Sequence, residues 1–208
     1  MSRSAGAPLF ADGGAGSALP DTPAARAAET YLAELSSAVM IRHCKRSYLF
    51  GKALADKAGA KPDLEALYVG CLLHDLGLEP VFAGPEDYET IGAREAGRFL
   101  SARGDDRLAR QVSAAIDVHT SLESARDPRP EVAFLSMGVL VDVTGTRIDD
   151  IAPKLVQQVV ADYPRDGTKA LIGALLRREI EAKPQSRIGR LQARAGVLDL
   201  VANAPFPA

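Results

Sequence analysis

Apolar residues in this chain recur three, four and seven positions apart and almost never alternate. An α-helix turns every ~3.6 residues, so that spacing gathers them on one helix face, whereas a half-buried strand needs a period of two. The punctuation agrees. Asp21 or Thr22 can cap a helix that carries Pro23 in its first turn and runs through AARAAETYLAEL. SSAVMIRHCKRSYLFGKALADKAG makes a second, stopping near Gly59 and Pro62, and Asp63 caps a third, LEALYVGCLLHD. DYETIGAREAGRFLSARG and DDRLARQVSAAIDVHT follow, the latter with two acids at its start to suit the helix dipole. PEVAFLSMGVLVDVTG opens on Pro130 and closes on Gly145. DIAPKLVQQVVADYP, GTKALIGALLRREIEAK and a shorter piece within GRLQARAGVLDLVANAP complete the series. GVLVDV alone resembles a buried strand, but its flanks continue the helical period. The expected fold is all-α, one domain over residues 23–208 with about eight or nine helices. Residues 1–22, rich in Gly, Ala, Ser and Pro, offer little to bury and are expected to form a mobile tail.

A chain of 208 residues supports one substantial core. Its net charge of -2 gives no global attraction to nucleic acid or to an anionic membrane, so neither is expected as a partner. No apolar run approaches the ~20 residues of a transmembrane helix, and the N-terminal stretch lacks the apolar core of a secretory signal. A cytoplasmic protein with Cys44 and Cys71 as reduced thiols is therefore expected. Apolar helix faces could serve a homo-oligomer as well as the core.

Within this frame a few residues are expensive. The chain has 3 histidines, His43, His74 and His119, and each falls on the apolar side of its helix. Asp75 shares a stripe with Leu64, Tyr68 and Cys71, while Asp142 follows Leu135 by seven and Gly138 by four in a helix apolar nearly all round. A buried aspartate without a partner costs several kcal/mol and tends to protonate. No lysine or arginine lies between Pro130 and Asp142, so its partner must come from elsewhere in the fold: a divalent cation, or a hidden arginine. His74 and Asp75 sit about 100° apart around a helix and can reach one ion only where the helix ends, an ending that Gly77 is placed to supply. Neutral imidazoles with ionised carboxylates suit zinc, iron or manganese.

The order His, His-Asp, Asp is the signature of the HD-domain superfamily of metal-dependent hydrolases, which this chain resembles through His43, His74, Asp75 and Asp142. More narrowly, HCKRSYLFG, CLLHDLG, AIDVHT, VDVTGTR, ADYPR and the closing NAPF resemble the cyanamide hydratase-like branch. The resemblance spans about residues 30–206 and implies an all-helical domain with one metal held by those four residues. It places His119 where relatives carry a further histidine that serves a second metal, holds a water or touches substrate.

The activity so implied is hydrolysis or hydration of a small molecule by metal-activated water, with a nitrile-like compound such as cyanamide as one substrate. Asp75 would hold the ion and accept a proton, His119 would pass a proton, and Arg46 would anchor an anionic group. Lys45 reads as solvated. An HD-type phosphohydrolase acting on nucleotides is the alternative, with Arg46 or Lys45 holding charge. A non-catalytic binding module with a closed, structural metal site is the third possibility. Arg177, Arg178, Arg187, Arg190 and Arg194 read as a solvated helix face, with an anionic ligand or partner as the alternative.

Overall fold

A computed structural model describes residues 19–206. The expected tail lies, as far as residue 18, outside the described residues. Among the described residues there are ten α-helices and no strand. In chain order they are α1 (Pro23–Leu35), α2 (Ala38–Ala58), α3 (Leu64–Leu73), α4 (Tyr88–Ser101), α5 (Asp106–Val118), α6 (Pro130–Thr144), α7 (Pro153–Asp162), α8 (Thr168–Ala182), α9 (Arg187–Ala195) and α10 (Val197–Ala202). The count exceeds the expected eight or nine because the last segment breaks at Gly196. That glycine takes φ 63° and ψ 48°, ending α9 in the left-handed region before α10 begins.

The caps follow the sequence. Thr22 accepts from the backbone N–H of Ala25 at 3.1 Å, and Ser37 from that of Met40 at 3.2 Å. Asp63 accepts from Glu65 and Ala66, both at 3.1 Å, and so starts α3. Every residue of α3 from Ala66 to Leu73 is buried, which accounts for a helix apolar on all sides. It packs against α1, α2, α5 and α6. GVLVDV lies inside α6 and is helical, as its flanks required.

One crossing sets the geometry of the interior. A Cβ on Gly51 would stand 2.3 Å from the carbonyl oxygen of Phe134, and one on Gly138 would stand 2.1 Å from that of Ser47. Helices α2 and α6 therefore meet backbone to backbone, an approach that only glycine permits. They run antiparallel there, so stepping four residues back along α2 from Ser47 and four forward along α6 from Gly138 brings His43 opposite Asp142. No helix among the described residues is long and apolar enough to cross a membrane.

Candidate metal centre

Helix α3 stops at Leu73, and His74 and Asp75 sit on its C-terminal end. His74 keeps helical angles while Asp75 turns to φ -99° and ψ 10°, which lets two sequence neighbours aim at one point. Gly77 does not act by ending the helix in a left-handed turn, as its position suggested. It lies within a 3-10 turn, Leu76–Leu78, where a Cβ would stand 1.9 Å from the carbonyl oxygen of Tyr88. Its smallness lets the His-Asp turn dock on the start of α4.

Three donors converge there. His43 Nε2 lies 3.3 Å from His74 Nε2 and 3.7 Å from Asp75 Oδ2, and His74 Nε2 lies 3.3 Å from the same oxygen. Both histidines are fully buried, and Asp75 is 7% exposed. The second nitrogen of each ring fixes its tautomer. His74 Nδ1 is 2.8 Å from the carbonyl oxygen of Cys71, an acceptor only, so Nδ1 carries the proton. His43 Nδ1 is 2.7 Å from Asp142 Oδ2, and facing an ionised carboxylate it too must donate. Burial pushes the His74 imidazole below its usual pKa against the opposing pull of Asp75. With Nδ1 of each ring turned to its own acceptor, the two Nε2 atoms are left facing each other. Two imidazole nitrogens so opposed, with a carboxylate alongside, make a donor set that suits a cation. Donors held about 2.0–2.2 Å from one ion at near-tetrahedral angles lie roughly 3.3–3.6 Å apart, close to the observed spacing. The donor set fits a divalent metal, and His43, His74 and Asp75 are the residues able to hold it.

Asp142 does not join this trio. Its carboxylate meets the far side of His43 and is gripped by two arginines. Arg46 donates from Nε to Oδ1 at 2.7 Å and from Nη2 to Oδ2 at 3.0 Å, and Arg165 donates from Nη1 to Oδ1. Burial alone would push this carboxyl up, but Arg46 and His43 together hold it well below the usual carboxylate range. In this arrangement Asp142 lies behind His43, both its oxygens engaged, in the position of a residue that orients a ligand.

Arg46 is corrected for the same reason. It is fully buried, and beyond Asp142 it donates to the carbonyls of Tyr163 and Pro164 and to the Thr168 hydroxyl, each at 3.0 Å. No donor remains to anchor a substrate anion. Lys45, expected to be solvated, pairs with Glu29 at 2.7 Å.

His119 caps the C-terminal end of α5 and is 3% exposed. Its Nδ1 donates to the Ile116 carbonyl at 2.7 Å, so its Nε2 accepts from the Tyr88 hydroxyl at 3.2 Å. Its ring stands edge-on to that of His74 with centroids 5.1 Å apart. Burial, and then His74 beside it, lower its pKa to about 4, so the ring is neutral near pH 7.

Asp75, Tyr88 and His119 form part of the wall of a cavity of about 220 Å³. The rest of that wall is mostly aliphatic and comes from α6 and from α8, α9 and α10, with Val139, Ile172, Leu176 and Ile188 among its members. Leu122, Leu140 and Leu200 belong to the wall and are also exposed, so they mark its mouth. No lysine or arginine lines it.

Two residues of this region were not singled out in the sequence. Arg165 lies in ADYPR, which carried the resemblance without a role attached to the arginine. Tyr88 gave no signal beyond a tyrosine at a helix start. A family model described as HD domain matches residues 40–143, half of the chain and the part that holds His43, His74, Asp75 and Asp142. No curated protein matches the chain.

Proposed function

The chain belongs to the HD-domain family, and from that premise we propose that it is a metal-dependent hydrolase or hydratase acting with water on a small molecule whose reacting group is uncharged. His43, His74 and Asp75 would hold the ion, with zinc, iron and manganese all suited to such donors. A bound divalent ion lowers the pKa of water from ~15.7 toward ~7 and polarises the group under attack. Asp142 keeps the proton on Nδ1 of His43, so that Nε2 stays a ligand. Asp75 belongs both to the trio and to the cavity wall, which suits it to hold the ion and to accept a proton beside the substrate. His119 and Tyr88 form a proton-handling pair: the Tyr88 hydroxyl, positioned by His119 Nε2, can pass its proton to the anion that develops on the reacting group and be restored by the proton that Asp75 takes from water.

The reading rests on one observation, two imidazole Nε2 atoms facing each other beside a carboxylate that reaches the wall of an apolar cavity. A nitrile-like substrate suits that cavity better than a nucleotide does. Phosphoryl transfer needs cations on the reacting group, and the two that the sequence offered, Arg46 and Lys45, are engaged elsewhere. Cyanamide is among the smallest such nitriles, and a cavity of about 220 Å³ leaves room for an apolar body beside the C≡N group.

Elemental analysis of the purified protein, followed by assays with aliphatic nitriles, cyanamide and nucleoside monophosphates in the presence of the metal found, tests this. Amide or urea formation is expected, with Asp75→Ala losing both metal uptake and turnover. Phosphate release from the monophosphates, or a D75A variant with full activity, would overturn it.

A further inference from the structure

Helix α9 presents two faces, and only one of them belongs to the cavity. Ile188, Leu191 and Ala195 line the apolar chamber. One step round the helix, Arg187, Arg190 and Arg194 line a shallower groove of about 420 Å³. The two spaces share Thr120, Ser121, Leu122 and Leu191, so the groove opens onto the mouth of the chamber and is not a separate site. The spacing of three and four makes the arginines neighbours on one face.

The three are not equally committed. Arg187 is tied down: it donates to the Asp117 carbonyl and lies 4.0 Å from the carboxylates of both Asp87 and Asp117. The Arg190 side chain makes one bond among the described residues, to the Gln185 carbonyl. Arg194 has no hydrogen bond or ion pair with the described residues and feels Glu123 across the groove. Glu123 is the one carboxylate of the lining, and it accepts from Ser121 Oγ at 2.6 Å. With Arg187 offset by Asp87 and Asp117, the guanidiniums of Arg190 and Arg194 stand against the single carboxylate of Glu123 and leave the groove with a positive excess. A solvated arginine face needs no apolar chamber beside it, and an apolar chamber for a neutral molecule needs no cations at its mouth. Together they describe a ligand with two ends.

We propose that the molecule this site accepts is an anionic amphiphile, its apolar body and reacting group inside the chamber and its carboxylate or phosphate held at the mouth by Arg190 and Arg194. The inference rests on the reading of the chamber as a substrate site and adds the chemical class of the substrate. It also divides the labour between charges. The uncharged reacting group meets His43, His74 and Asp75, while the anion stays at the rim, where guanidinium forks bind it without the cost of desolvating it fully.

The test measures binding apart from turnover. Octanoate and octan-1-ol share a chain and differ in the charge at its end. Isothermal titration of both into the full chain should give tighter binding of octanoate. The double substitution Arg190→Gln and Arg194→Gln should weaken octanoate about tenfold, or roughly 1.4 kcal/mol, and leave octanol unchanged. Raising salt to about 0.5 M should act on the unmodified protein in the same direction. Val139→Phe, which narrows the chamber, should weaken both ligands. His74→Ala should lose metal and keep octanoate, so a failed metal reading and a failed anion reading give different results. The proposal is overturned if the double variant binds octanoate as before, or if it loses both ligands equally. It is also overturned if the chain ignores free octanoate and sediments with phosphatidylglycerol vesicles in an arginine-dependent way, since the surface would then be a membrane contact.

Discussion

Replacing Asp142 with Asn tests the part of the centre that differs most from what the sequence implied. The carboxylate is fully buried and takes four hydrogen bonds from three partners: two from Arg46 and one each from Arg165 and His43. An amide keeps the shape and removes the charge, leaving two guanidiniums in the interior without a counter-ion. Arg46 has no other anion to turn to, because its remaining bonds go to neutral carbonyls and a hydroxyl. Arg165 lies over the Phe206 ring at 3.8 Å, and its Nε has no partner among the described residues. Breaking a buried pair by removing one member costs about 3–5 kcal/mol. D142N should lose that much in urea denaturation followed by circular dichroism, with chelator present so that metal plays no part. There is a second consequence. The amide NH₂ can donate to His43 Nδ1, which would move the ring proton to Nε2 and remove a lone pair from the trio. Metal affinity measured by titration should then fall about 10–100-fold, the range for a residue that orients a ligand, without vanishing as the loss of a true ligand would require. A D142N protein within about 1 kcal/mol of the original would refute the argument, because that is little more than an ordinary surface change costs.

Two further outcomes follow from the packing of the interior. Gly138→Ala puts a methyl 2.1 Å from the Ser47 carbonyl oxygen and 2.8 Å from Gly51 N, both backbone atoms that cannot rotate away. It should cost about 2–3 kcal/mol despite better helix propensity, whereas Gly173→Ala in α8, with nothing within 4 Å, should gain roughly 0.5–1 kcal/mol; equal effects at both positions would show that α2 and α6 do not cross as described. Glu89 is fully buried with Oε2 unpartnered, and burial raises its carboxyl to about 7 against the opposing hydrogen bond from Thr120. The folded protein therefore holds a proton that the unfolded chain releases near the ordinary glutamate value of 4.5, and this contribution is full below that value and lost as pH rises through about 7. The loss amounts to roughly 3 kcal/mol at most, and Glu89→Gln should flatten the fall in urea midpoint between about pH 4.5 and 7; an unchanged pH dependence would contradict it.

Much of the fold was legible because its determinants are local. The caps at Thr22, Ser37 and Asp63 act on N–H groups two or three residues away, and Gly59 ends α2 in the left-handed region at φ 68°. Gly196 was the exception. It lies in a segment read as one piece, and nothing in the residues beside it distinguishes a glycine inside a helix from one that separates two.

For the site, the sequence by itself determined which side chains would be costly and that they would face inward. His43, His74, His119, Asp75 and Asp142 are all buried, as helical spacing from their apolar neighbours required. Tertiary structure alone decided what each of them meets. Arg46 stands three residues from His43 yet finds its carboxylate at Asp142, 96 positions along, because Gly51 and Gly138 fix where α2 and α6 cross. The cavity wall likewise draws on helices from both ends of the site, so that α9 lends one face to an apolar chamber and the other to a cationic groove. Periodicity assigns a residue to a face and leaves open the neighbour across it. That neighbour depends on the closest approach of two backbones, a quantity set by packing over the whole domain.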